Sequence, residues 1–191
     1  AAREHGLPTA LLNFDAGVAE RVADRSFDHH LSARPHYQAN ICFVNADQTP
    51  ILFDTFGSSV LRGHYNVGYW FWELARFPEA AWARSLALVD EIWVASRHVH
   101  DAVKQAAVDK PVRIVPYPIQ IVLPRRFDRT EFGLPAEPFI FLFSFDFFSY
   151  VDRKNPESVL QAFQRAFPSP SDCSVSLVLK SIGAERAPER F

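Results

Sequence analysis

Seven short apolar runs, at residues 9–14, 40–44, 66–71, 91–95, 112–115, 139–145 and 175–179, alternate with stretches of helical periodicity. This alternation constrains the fold more than any other feature of the chain. Several of the runs are apolar on consecutive residues, the pattern of strands buried on both faces. Helices are predicted between them. Pro50 opens one that runs to Leu61, with Thr49 as its cap. Residues 79–89 place Trp82, Leu86 and Val89 on one stripe. Ser96 caps a helix to about Ala107 that buries Val99, Val103 and Ala106. Asn155 caps another, with Pro156 first and Val159, Phe163, Ala166 and Phe167 facing inward. Strand–helix alternation predicts an α/β fold with parallel sheets and helices on their faces. Such sheets bind ligands at the carboxyl ends of their strands.

Five prolines, Pro116, Pro118, Pro124, Pro135 and Pro138, interrupt the alternation, together with Arg125, Arg126 and Arg129. Residues 118–137 therefore read as an inter-domain connection, between one domain at 1–117 and another beginning at 138 and running to 191.

Composition narrows the function classes. Net charge is −2 with mixed signs and no basic stripe, which argues against nucleic acid as a partner. No apolar run reaches membrane-span length, which leaves only peripheral membrane contact open. The two cysteines form no C-x-x-C unit and the histidines have no ligand spacing, so no metal is expected. With no secretory leader visible, a reducing cytoplasm is the expected setting. There is no G-x-G-x-x-G, Walker loop or G-x-S-x-G elbow, which removes the usual dehydrogenase, phosphate-loop and esterase signatures. The chain lacks methionine, opens on AAREHGLP and ends on APERF, and is expected to be a piece of a longer protein.

The candidate chemistry sits at the predicted strand ends. Residues 149–155 read as a polar turn from Ser149 to Asn155, carrying Arg153 and Lys154 before a helix start. Two cations beside a helix N-terminus suit a diphosphate, the alternative being a solvated basic turn. Asp146 ends the preceding apolar run, where an acid requires a partner. Tyr69 and Glu73, in GYWFWEL, offer a ring and a carboxylate for a sugar, or core packing and a surface charge. Asn45 and Asp47 follow the run at 40–44 and either orient a ligand or cap the next helix. Lys180 closes the run SVSLVLK and offers either a second anion contact or a surface end.

The ordered series NICFVNADQTP (40–50), NVGYWFWELARFPEAAW (66–82), DEIWVAS (90–96), IVPYP (114–118), FLFSFDFFSYVDRKNPESVLQAFQRAF (141–167) and LVLK (177–180) resembles glycosyltransferase family 4, the retaining transferases of the GT-B fold. The resemblance implies two Rossmann-like parallel-sheet domains, both incomplete here: the end of an acceptor-side domain and the start of a donor domain. It implies a nucleotide-diphospho-sugar donor, a glycan, lipid-linked or other acceptor, and neither cofactor nor metal. By position Lys154, and after it Arg153, would contact the donor diphosphate. The remaining candidates would line the cleft, and no catalytic residue is assigned. The loop of Asn45 and Asp47 lacks the histidine that relatives often place there. The two glutamates with seven residues between them that such proteins carry would follow beyond residue 191. The alternative is a non-catalytic scaffold of the same fold that binds nucleotide sugar or glycan.

Overall fold

The computed structural model describes residues 5–15, 25–107, 109–119, 123, 126, 128–148, 151–169 and 174–186. The chain divides into two compact units, Ala1–Ile121 and Val122–Phe191, and the division falls within the proline-rich segment.

The first unit is a four-stranded parallel sheet in the order β1-β2-β3-β4, with β1 Ala39–Cys42, β2 Tyr65–Trp70, β3 Glu91–Val94 and β4 Val112–Ile114. The crossovers carry α1 Thr49–Phe56 with α2 Ser58–Leu61, then α3 Glu79–Leu88, then α4 Arg97–Ala106. Sequential parallel neighbours joined by crossovers of one hand put the helices on one face, and the packing agrees. Trp70, Ile92 and Val94 from the strands meet Leu86, Val99, Val103 and Ala107 in one core. Cys42 meets Leu52 and Leu61 in a smaller one. The opposite pleat carries Ile41, Val67, Tyr69, Glu91, Trp93 and Arg113. Only the two central strands are buried along most of their length. The edge strands β1 and β4 are not, since each has a strand neighbour on one side only among the described residues.

The second unit pairs β5 Phe139–Asp146 with β6 Val175–Ile182 in parallel, joined through α5 Val151–Lys154 and α6 Pro156–Ala166. Phe163 and Phe167 pack their rings on Phe141. Phe163 and Phe167 are half-buried, but Ala166 is exposed rather than inward-facing. Part of the expected connection is folded onto this unit. Residues 129–132 form a 3-10 turn capped by Asp128, and the Arg129 guanidinium donates to the Pro138 carbonyl (2.8 Å).

Four expectations are corrected. Residues 9–14 form no strand: Leu11 makes a single bridge to Leu31, and the outer edge of β1 has no strand partner among the described residues. The helix expected from Pro50 to Leu61 breaks at Gly57, whose φ of 74° ends α1 and starts α2. Thr49 is not the cap but the first residue of α1, fully buried, with its hydroxyl turned back to the Asn45 carbonyl. Trp82 leaves helical dihedrals inside α3, and its ring packs edge-on against Trp72 and Phe77. Ser96 and Asn155 do cap α4 and α6, accepting from the amides of Val99 and Ser158.

Polar side chains tie the amino end of the first sheet. Asn40 donates to Asn66 across β1 and β2, and Asn66 donates to the Leu61 and His64 carbonyls. Glu91, 7% exposed, accepts from the Tyr65 hydroxyl (2.9 Å), the Trp93 indole (2.7 Å) and the Arg113 guanidinium (2.6 Å). Burial alone would push its carboxyl up. The bonds from Trp93, Tyr65 and Arg113 outweigh this and hold it below the usual carboxylate range.

A folded-state value below the unfolded one gives stability that is present above the ordinary glutamate range and lost as pH falls through the folded value. Glu91→Gln should therefore flatten the acid limb of a stability–pH profile measured by urea unfolding. A Cβ on Gly68 would lie 2.7 Å from Nε1 of the fully buried Trp70 ring. Gly68→Ala should cost about 1–3 kcal/mol of stability, read as a lowered urea midpoint.

Candidate functional site

The loops that leave the carboxyl ends of β1 and β2 are held by a chain of hydrogen bonds starting at Trp70. Its indole donates to Thr49 Oγ1 (3.2 Å), Thr49 Oγ1 donates to the Asn45 carbonyl (3.0 Å), and Asn45 Oδ1 accepts from the Phe71 amide (3.0 Å). Ser85 reaches the neighbouring Ala46 carbonyl from α3. Asn45 thus joins one strand exit to the next and does not cap α1. Asp47 is exposed and accepts from Gln48 (3.1 Å). Glu73 is exposed, and its carbonyl accepts from the His98 ring at the start of α4 (3.2 Å).

Tyr69 is 2% exposed and lies in β2 rather than at its exit. Its hydroxyl donates to the Val115 carbonyl, and its ring stacks on Phe43 (centroids 4.7 Å) and Tyr117 (5.2 Å). Phe71 stacks on Tyr117 in turn (5.4 Å). Phe43, Phe71 and Tyr117 are exposed around the buried Tyr69. Burial pushes the Tyr69 phenol up. Burial, and then Tyr69 itself, do the same to Tyr117, so both rings stay neutral. Sequence reasoning missed this group as a unit. Its signal is the shared odd phase of Phe43, Tyr69 and Phe71, which continues the period-2 count of β1 and β2 one residue past their ends.

A cavity of about 360 Å³ runs along the outer edge of β1, between Leu11, Leu12 and Phe14 on one side and Leu52, Phe56 and Val60 on the other. It contains none of the expected site residues. Cys42 lines it, a buried thiol that burial pushes up to about 11 and so leaves unreactive. No group of three or more metal-ligating side chains occurs among the described residues.

In the second unit, residues 151–154 differ from the expected turn. They form the helical turn α5, so Arg153 and Lys154 lie in its last turn, where cations are favoured. Asn155 then adopts the left-handed region (φ 53°) and its side chain accepts from the Ser158 amide (3.3 Å). One residue thus separates α5 from α6 and caps the second helix. Pro156 has no N–H, so Glu157 carries the first-turn amide that Asn155 does not cap. Lys154 is half-buried, and Arg153 is exposed and interacts within the chain. Ser149 lies outside the described residues.

Strand β6 runs to Ile182, three residues beyond the expected run, so Lys180 stands inside the strand and does not close it. Lys180 is exposed and registers with Ser144, two residues below the Asp146–Ile182 pair. Asp146, Ser144 and Lys180 therefore share one face, opposite the pleat of Phe141 on which α6 packs. Oδ1 of Asp146 is fully buried and has no hydrogen-bond partner among the described residues. Gly183, just past β6, has φ 78°, and a Cβ there would lie 2.9 Å from the Phe148 ring. The strand exits close over each other at this point, where the Phe147 amide donates to the Ile182 carbonyl (2.9 Å). The sequence did not mark Gly183 as special.

No family model, curated protein or solved structure matches the chain.

Gly183→Ala should strain the turn and displace Phe148. Hydrogen exchange should show faster exchange at the Phe147 amide, with the amides of β2 and β3 unchanged.

Proposed function

We propose that the chain is part of a glycosyltransferase that moves a sugar from a nucleotide-diphospho-sugar to an acceptor, with retention of configuration. The single observation that carries this reading is the placement of Arg153 and Lys154. They follow the carboxyl end of a parallel strand and directly precede the capped start of α6. That is where open α/β sheets take phosphate groups. The sequential strand order of the first unit supports the reading too, since one half of a doubly wound nucleotide-binding sheet is built that way. So does the ordered series of motifs that resembles family 4 and the GT-B fold.

In this mechanism the leaving group is a nucleoside diphosphate. Lys154, with Arg153 beside it, offsets the negative charge that grows on it as the glycosidic bond breaks. The protein's own cations do this, with no cofactor assigned, in a cytoplasmic setting. The acceptor is a glycan, a lipid-linked sugar or another hydroxyl nucleophile. Asn45, Asp47 and Glu73, on the exits of β1 and β2, fall on its side of the reaction. No helix among the described residues is long and apolar enough to cross a membrane.

The second reading is a binding scaffold of the same fold without turnover. The near-parallel rings of Phe43, Phe71 and Tyr117 favour it, since aromatic faces receive the apolar face of a sugar ring.

Lys154→Ala should weaken binding of a nucleoside diphosphate by about tenfold or more, the loss of one charge-assisted hydrogen bond. Calorimetry with UDP, GDP and ADP checks it. Unchanged affinity for all three would remove the donor-site assignment.

A further inference from the structure

Independently of the donor reading, we propose that the cavity beside β1 is a docking slot for an extended, uncharged peptide strand of a partner protein, added to the open edge of the first sheet. The Tyr65 amide donates to the Gln38 carbonyl. Backbone groups alternate sides along a strand, so those of Asn40 and Cys42 also turn to β2, and those of Ala39 and Ile41 turn to the outer edge. No strand pairs with that edge among the described residues, and Ile41 stays 48% exposed. Edge strands are ordinarily blunted by a charge, a proline or a bulge. Ala39–Cys42 carries no charge and no proline, and it keeps an unbroken register with β2.

What the slot can take follows from its walls. Leu11, Leu12 and Phe14 bound it on the far side, in a segment separated from β1 by the cavity, and Phe56 of α1 and Val60 of α2 close it. Among the described residues its lining contains no Asp, Glu, Lys or Arg, so it recognises no ion. The His36 ring bonds Ser32 (2.8 Å), and the Asn40 amide donates to the Val60 carbonyl and to Asn66 (3.0 Å each). These side chains are committed within the chain. What they leave to a ligand is apolar surface and the outward backbone of Ala39 and Ile41. A hydrocarbon would fill the volume but leave those amides and carbonyls dry and unbonded, which is costly. A peptide strand bonds them and, with apolar residues at every second position, fills the slot with side chains. The β1 of a second copy does not fit, because its own edge carries the same wall of residues 10–14.

The test is calorimetry and hydrogen exchange on the full chain with a capped peptide of alternating valine and threonine, about seven residues long and so able to run past both ends of β1. The peptide should bind saturably and slow exchange at the Ile41 amide by about tenfold or more, with the β3 amides unchanged. Two further peptides carry N-methyl groups on alternate amides, one in each phase. The one methylated on the edge-facing amides should bind about tenfold more weakly, because it loses ladder bonds and keeps every side chain. Ile41→Pro removes the outward N–H and no bond to β2, and it should weaken the parent peptide by the same factor. Should Ile41→Pro fail to fold, the methylated pair on the wild-type chain decides alone. No binding, or equal binding of all three peptides, overturns the inference. So does decanol binding where the peptide does not, which marks a hydrocarbon site. A dimer in light scattering with slowed exchange at Ile41 marks a second copy as the occupant and overturns it too. The donor reading is untouched by any of these results, since it rests on residues of the second unit.

Discussion

The indole of Trp70 holds the first sheet's carboxyl end in place. It is the largest side chain with no solvent exposure, and its one polar atom is satisfied by Thr49. An unpaired indole N–H at that depth would be costly, so the position of Thr49, and hence the start of α1, is fixed by β2. The bond from Thr49 to the Asn45 carbonyl carries that constraint into the loop after β1, and Asn45 returns it to Phe71. Two strand exits are thereby locked with three side chains. Gly68 is the companion requirement, because only a residue without Cβ leaves room for the ring.

The two ends of this sheet are built from different materials. At the amino end, the Asn40 and Asn66 amides bond to each other and to backbone carbonyls, and the Glu91 carboxylate is satisfied by Tyr65, Trp93 and its ion pair with Arg113. At the other end the helix-free pleat turns aromatic, with Tyr69 buried among rings that remain exposed. The polar end is saturated with internal partners. The aromatic end presents open surface, which is the arrangement expected where a parallel sheet meets its ligands.

Most of the elements were legible because their periods are strong. Six of seven predicted strands form, and the helices fall where the stripes and caps put them. The exceptions have separate causes. Residues 9–14 are apolar enough for a strand, but no neighbouring edge pairs with them. Gly57 was silent in an otherwise helical pattern until its positive φ was seen. Arg153 and Lys154 looked like turn residues because Asn155 and Pro156 dominate that stretch of sequence, and a four-residue helix has too few positions to show a period. The candidate site was legible by residue type at Asp146 and Lys154. The close contact between Gly183 and Phe148 joins atoms distant in sequence, and no spacing rule reports it.

Asn155 has a consequence for how this region can change over evolutionary time. The position must adopt a left-handed backbone and supply an oxygen to the Ser158 amide. Glycine meets the first demand and loses the second. Serine or threonine meets the second, but a Cβ without asparagine's local hydrogen bonding resists the first. Aspartate meets both and places a negative charge beside Lys154. Drift at this hinge between two helices is therefore confined to a very small alphabet, and the one near-isosteric escape would neutralise the cation next to it.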